Sequence, residues 1–297
     1  MKFLRQCELK IQTALYDSAG HALFVTFPPE ISIEFDIRRE ALASAQSATF
    51  KIYNLSEKLR NQIFKDRYNT TLYRAIQFRA GYPNFMAICF LGNVWYCYSE
   101  RTSVEFVTEV NCYDGGYGIQ NGIVSAQFPG MSTFPRVVST LAATLPGVSR
   151  NPILGATPSW SNPRGRSFSG NTWKFIQELT GGKAFIDNGQ LKVLGDNEAF
   201  NGVVPVINSA MGLLGSPRRT NAIIECKLVF EPRLSVGQIV KLESITNSIY
   251  NGVYKIMGIH HTGIISPAVD HDTTTTVSLW KGTQLITTDG VTGSPVL

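Results

Sequence analysis

The chain has 297 residues, of which 43% are hydrophobic and only 16% charged, with 27 Lys and Arg against 22 Asp and Glu. That length leaves room for two or three domains and excludes a disulfide-stapled miniprotein, while a charged share below the roughly 25% of an ordinary soluble domain points to surface closed by other protein. The net charge of +5 is scattered, its densest clusters being the pairs Arg38-Arg39 and Arg218-Arg219, which excludes a phosphate-tracking stripe and with it specific nucleic-acid binding.

The opening residues Met1 to Lys10 interleave charge with apolar side chains and offer no signal-peptide core, and no run approaches the ~18 apolar residues of a membrane helix. The expectation is therefore a protein neither secreted by a signal peptide nor set in a membrane. Five cysteines (Cys7, Cys89, Cys97, Cys112 and Cys226) form no CxxC pair, and most stand in strand-like runs with apolar residues at alternate positions. A thiol in such a place acts as a small hydrophobe, so these are expected to be reduced and buried rather than disulfide-linked or zinc-bound.

From Cys7 to Asp114 the dominant period is two. Ala48, Phe50 and Ile52 alternate with Thr49 and Lys51, and Val104, Phe106, Thr108, Val110 and Cys112 alternate with Glu105 and Glu109. These are half-buried strands. One helix is predicted between them at about 56–66, with Asn54 and Glu57 in a capping-box arrangement and Leu59 and Ile63 on one face.

After Gly115 the composition turns to Gly, Pro, Ser and Asn. Gly116 to Gly122 misses the dinucleotide fingerprint at its last position and reads as a connecting turn. Ser132 is placed to cap a helix entered by Pro135 and carrying Val137, Leu141 and Leu145, and a second helix is predicted over 172–179, burying Trp173, Ile176 and Leu179. Residues 150–169, with three prolines and three arginines, read as a long surface loop. Lys183 to Ile186 and Gln190 to Leu194 read as a hairpin whose Asn188-Gly189 pair accepts positive φ.

From Met211 period two returns, with Ile224, Cys226, Leu228 and Phe230 on one face, followed by strands at 239–242, 253–259 and 275–280. This part echoes the first: Leu91 to Tyr96 and Val110 to Gly115 resemble Asn251 to Tyr254 and Val277 to Gly282. The expected organisation is mainly β, with a tube-like barrel over 1–115, a mixed module over 116–208, a second tube-like barrel over 209–282 and a flexible tail over 283–297.

Few groups invite chemistry. His260 and His261 are adjacent on a predicted strand and so face opposite ways, which leaves only one of them to join His271, Asp270 and Asp272 around a metal. Turn-forming aspartates explain that loop without an ion. There is no GxSxG, HExxH or P-loop pattern, so neither a catalytic site, a cofactor site nor a metal site is expected. Trp95, Tyr96, Tyr98, Tyr113, Tyr250, Tyr254 and Trp280 could stack sugars, but their aliphatic neighbours favour core and subunit-interface packing.

Three segments carry a family resemblance. Gly212 to Thr220 followed by Cys226 to Leu234 and Val236-Gly237 resembles a hub signature of a Gly-hydrophobic-Gly-x-Pro turn, a strand and a Pro-x-Leu-x-x-Gly corner. Asn251 to Gly263 with Thr276 to Trp280 is similar to the closing strand, His-x-Gly turn and last strand, and Gly170 to Trp173 with Phe185 to Leu191 is similar to a small helix-plus-hairpin module. The chain departs from the pattern at Glu231, where Asn is expected, and in the loop from Pro267 to Asp272.

Together these segments resemble the baseplate hub proteins of contractile-tail bacteriophages. The resemblance implies a structural homotrimer whose two barrels per chain make a pseudo-sixfold ring between a hexameric tail tube and a trimeric spike. Its implied partners are the tail tube proteins, the spike, the tape-measure protein and the baseplate wedge proteins, in a virion assembled in the host cytoplasm. The rival expectations are a tail-tube initiator or distal-tail ring, a cell-wall-degrading tail enzyme and a carbohydrate-binding β protein.

Overall fold

Side chains that alternate between apolar and polar put one face of a strand in a core and the other in water. In the computed structural model, which describes residues 4–27, 30–155, 164–200, 202–267, 272–281 and the backbone of 286–288, that rule shapes most of the chain. The first part holds β1 (Gln6–Tyr16), β2 (Ala22–Phe27), β3 (Ile33–Glu40), β4 (Gln46–Tyr53), α1 (Glu57–Ile63), β5 (Ala75–Tyr82), β6 (Phe85–Thr102) and β7 (Glu105–Asp114). The middle follows with α2 (Gly116–Asn121), β8 (Ile123–Phe128), α3 (Phe134–Ala142), β9 (Ile153–Leu154), β10 (Arg166–Asn171), α4 (Thr172–Thr180), β11 (Ala184–Asp187), β12 (Gln190–Val193), β13 (Glu198–Phe200) and β14 (Val206–Ile207). The last part comprises β15 (Leu213–Thr220), β16 (Ile223–Val229), β17 (Ile239–Leu242), β18 (Gly252–Ile265), β19 (Thr274–Trp280) and β20 (Ile286–Thr288).

One thirteen-stranded sheet runs in the order β15-β16-β19-β18-β3-β4-β7-β6-β5-β1-β2, with β17 and β14 branching from β18. Two stretches of it repeat. The order β3-β4-β7-β6-β5 in the first part recurs as β15-β16-β19-β18-β17 in the last, and the registers agree. Asn93 pairs with Ala75 and Tyr113 as Lys255 pairs with Ile239 and Trp280, and each long strand then slips register, one between Val94 and Tyr96, the other between Ile256 and Gly258. The sequence echo of Val110 with Val277 and Tyr113 with Trp280 is in this register, whereas Gly92 stands level with Tyr254 and not with Gly252. Each slip is by one residue, so the inward positions change parity across it, from Tyr254 and Ile256 to Ile259 and His261 in β18.

Three cores result. Phe35, Phe50, Phe78 and Phe90 fill the first, with ring centroids of successive partners 5.0–6.1 Å apart. It also takes Phe230 and Ile265 from the last part of the chain. α3 and α4 bury Val137, Leu141, Trp173 and Ile176 in the second, and Leu228, Val240, Ile256 and Leu279 centre the third, which takes Phe185 and Leu194 from the middle. Each of the outer cores thus contains residues from beyond its own stretch of sequence.

Several local expectations are corrected. α1 is capped by Ser56, whose hydroxyl accepts the Leu59 N–H, while Asn54 adopts positive φ and receives the Phe106 N–H instead. Gly116 to Asn121 is a short helix, not a turn: Gly115 at φ 70° lies against Ile186 and opens a bond from Ile119 N–H to its carbonyl, a conformation a Cβ would block. Thr133, not Ser132, is at the N-cap of α3, and the Ser132 hydroxyl donates to Pro129 O. The loop expected over 150–169 contributes β9 and β10 at its two ends, β9 parallel to β12 and β10 antiparallel to β8, and its residues 156–163 lie outside the described ones. Within the stretch expected as a tail, β20 pairs in parallel with β13.

Phe230 tests whether the parts fold as one body. It is fully buried, its ring packs on Phe35 and Tyr82, and its carbonyl accepts the Tyr82 hydroxyl at 2.7 Å. Phe230→Ala should cost about 3–5 kcal/mol in urea unfolding and lower the melting of the first core; a loss under about 1 kcal/mol would mean that the two halves are packed independently.

Candidate functional site

The hairpin β11–β12 sits where the three cores meet, and it carries charge into a place without water. β3 points Ile33, Phe35 and Ile37 inward, and Arg39 continues that row. Its Nε and Nη2 donate to Asp187 Oδ1 and Oδ2 at 2.7 and 2.8 Å, a two-point match between planar groups. Lys192 Nζ donates to Asp187 Oδ2 at 2.7 Å and reaches Ser235 Oγ, in the last part of the chain, at 3.4 Å. Gln46 Nε2 donates to Ile186 O at 3.0 Å, and Asp114 Oδ1 accepts the Gly189 N–H at 2.9 Å. Arg39, Asp187 and Asp114 are each no more than 2% exposed.

Burial alone would raise the Asp187 carboxyl, but Arg39 and Lys192 overcome it and hold the group well below its usual range. Asp114 lies beside this ionised neighbour and has only backbone donors, so burial first and Asp187 second push its carboxyl up to about 8. Two carboxyls in one junction therefore take opposite states near neutrality, one charged and one protonated.

The sequence-derived candidates separate as expected for adjacent strand residues. His260 faces outward, with Nε2 3.1 Å from Asp36 Oδ2. His261 is fully buried against the Phe230 ring, and burial followed by the Arg39 charge lowers its imidazole to about 3. Thr275 Oγ1 accepts the Glu231 N–H and lies 2.9 Å from His261 Nδ1, within hydrogen-bond distance. Thr275 is itself fully buried, which keeps this pair from any substrate. His271 and Asp270 lie outside the described residues, and among those described no group of three His, Cys, Asp or Glu could hold a metal. All five cysteines are free and buried. Glu231, where Asn is expected, is buried, and its carboxylate accepts two bonds from the Arg233 guanidinium and one from the Arg233 N–H.

The outer faces of β3, β4 and β7 form a self-satisfied polar surface. Lys51 and Tyr53 donate to Glu34 at 3.0 and 2.7 Å, and Thr49 donates to Asn111, which donates to Glu109. A shallow groove of about 450 Å³ crosses it, lined by Glu34, Asp36, Arg38, Ser47, Thr49 and Lys51. Beside it Trp95 packs on Tyr96 and Tyr113, Tyr96 stacks on Tyr98 at 6.0 Å, and Arg67 covers Trp95. The aromatics thus pack mainly on each other, and Tyr254 is buried in the third core.

This junction ties the middle hairpin to residues of the first and last parts of the chain. A family model described as baseplate hub gp41 matches residues 12–266. The chain belongs to the baseplate hub gp41 family. It is thereby a structural component of a bacteriophage tail baseplate. No curated protein matches the chain by sequence. Among solved structures, the hub chain is similar to a tail protein from Neisseria meningitidis MC58, with a TM-score of 0.59 at 12% identity over 94% of this chain and 98% of that one. It is also similar to the 43 kDa tail protein of prophage MuSo2 from Shewanella oneidensis, with a TM-score of 0.59 at 10% identity over 92% and 96%. A third is the E. coli c3393 protein, described as a type VI secretion component with structural similarity to the T4 tail proteins gp27 and gp5, with a TM-score of 0.57 at 8% identity over 90% and 76%. At these identities the likeness is one of fold. No helix among the described residues of the hub chain is long and apolar enough to cross a membrane.

Two predictions follow the charges of the junction. Arg39→Met leaves Asp187 with Lys192 alone and should destabilise the hub chain by about 3–5 kcal/mol in denaturant unfolding, against little change for Arg38→Met, whose partner Asp36 is exposed. Asp114 keeps its proton up to about pH 8 in the fold but releases it near 3.8 when unfolded, so the native state binds more protons and loses stability as pH rises through that window. His261 acts in the opposite sense only below 6.5. Between pH 6.5 and 8 the wild type should therefore lose stability, and Asp114→Asn, whose amide oxygen still accepts the Gly189 N–H, should flatten the loss; an equal decline in both proteins would refute the assignment.

Proposed function

We propose that three copies of this chain form the central ring of the baseplate, adapting a hexameric tail tube to a trimeric spike. The observation that carries this reading is the repeated strand order with matching register, which supports two equivalent tube-like modules in each chain. Three copies then present six modules to the tube while keeping threefold symmetry toward the spike. The ring would enclose the passage for the tape-measure protein and later DNA, with wedge proteins outside it, and would assemble in the host cytoplasm before joining the virion.

The polar, internally bonded face of β3, β4 and β7 suits a surface past which another chain slides, because its donors and acceptors are already satisfied. The role is mechanical, and no residue of the junction needs to react.

Native mass spectrometry of the purified chain should give a particle of three times 32.7 kDa. A hexamer would favour a tube initiator or distal-tail ring instead. A stable monomer that clears a peptidoglycan zymogram would favour a cell-wall-degrading enzyme.

A further inference from the structure

β6 slips register between Val94 and Tyr96, just beyond its last pairing with β5 at Asn93. The connection between α1 and β5 covers this place, and two of its residues straddle the slip. Lys65 exchanges backbone bonds with Cys97, and the Arg74 carbonyl accepts the Val94 N–H. The backbone therefore fixes both positions. Their side chains are covered almost as fully as those of the junction, with Lys65 5% and Arg74 4% exposed. Each reaches one backbone carbonyl: Lys65 Nζ donates to Val94 O and Arg74 Nη1 to Phe64 O, both at 2.6 Å.

At the junction two buried cations, Arg39 and Lys192, share the carboxylate of Asp187. Lys65 and Arg74 have no such group among the described residues. The titratable neighbours of Arg74 are Cys97 and Tyr16, and those of Lys65 are Arg74 and Cys112; none is a carboxylate. Burial pushes the Cys97 thiol up to about 12 and the Cys112 thiol well above its usual value, so neither supplies negative charge. Asp66, next in the chain, is exposed and accepts the Tyr68 N–H. Burial, followed by the Arg74 charge, lowers the Lys65 ammonium to about 8, and burial lowers Arg74 as well. Two like charges held together under cover are costly until a negative group joins them.

The geometry names the group. With Arg74 Nη1 engaged by Phe64 O, its Nε is buried without an acceptor, and no described residue bonds its Nη2. That Nε–Nη2 edge is the one by which Arg39 holds Asp187. Its two parallel donors match the two oxygens of a carboxylate, and the Lys65 ammonium lies beside them. We propose that Arg74 and Lys65 form a receiving site for a carboxylate, supplied by an aspartate or glutamate of another protein of the baseplate. The seated acid repeats between chains what Asp187 does within one. Phe64, whose carbonyl Arg74 holds, and Tyr16, beside Arg74, are each more than half exposed, so the acid that fits is one with apolar neighbours in a polypeptide.

A ligand that binds only the folded chain raises its melting temperature. At equal ionic strength, sodium acetate should raise the melting of the full chain over sodium chloride by about 3 °C, and sodium phosphate should do less. Arg74→Met should erase the difference, and Arg74→Lys, which keeps the charge and loses the fork, should keep under half of it. In chloride, Arg74→Met should melt no lower than wild type, because it removes a buried charge without a counter-charge, whereas Arg39→Met melts lower. The blocked tripeptide Leu-Asp-Tyr should bind wild type about tenfold more tightly than Leu-Asn-Tyr, and Arg74→Met should remove that preference. A response to acetate equal in wild type and Arg74→Met, or a fall in chloride as large as that of Arg39→Met, overturns the site. A stronger response to phosphate overturns the carboxylate, and acetate binding without preference for the Asp peptide overturns the protein partner. The site lies within one chain, so these outcomes are independent of the trimer.

Discussion

Asp187 is held by Arg39 and Lys192 where water does not reach, and the relative placement of the whole structure depends on that contact. The three groups come from different parts of the fold: Arg39 from the first module, Asp187 and Lys192 from the middle hairpin, with Ser235 of the second module within reach of Lys192. A buried ion pair is a poor source of stability, because taking charges out of water costs much of what their attraction returns. It is a strict source of geometry. An apolar patch tolerates sliding and rotation, but a bidentate guanidinium–carboxylate contact does not, since a small rotation would leave buried charge unpaired. A component that must hold two modules at one angle has a use for that strictness.

Around this fixed point the sheet achieves continuity. β18 belongs to the second module in its first half and to the first module in its second, and Phe230 and Ile265 follow it into the first core. Separation of the modules would therefore break a ladder, expose aromatic surface and strand Arg39 together. In a structural part of a tail baseplate such coupling means that failure at one place requires failure at all.

Much of this was legible in the amino-acid sequence, and the rest was not for identifiable reasons. Period two marked the strands from Ala48 to Ile52 and from Ile224 to Phe230 because one face of each is buried, and the Asn188-Gly189 turn declared itself through its required positive φ. Capping was misplaced at Asn54 because Asn54 and Ser56 can both cap a helix, and only the tertiary bond to Phe106 decides between them. The helix at Gly116 had no readable signal, since Gly-rich segments weigh against helix and this one is held by packing on Ile186 and Leu145. The junction did leave a trace: Arg39 after Ile33, Phe35 and Ile37, and Asp114 after Val110 and Cys112, put charge at inward positions. Which charge meets which depends on contacts between residues far apart in sequence, such as Arg39 with Asp187, and periodicity carries no information about those.

One sheet carries the same strand order twice, and the proposed ring requires that copies placed end to end close on themselves. Electron microscopy of the purified particle, averaged without imposed symmetry, addresses this directly. The account predicts three-part rings with six similar modules around an open centre. Open filaments, or single subunits with two modules at varying angles, would contradict it.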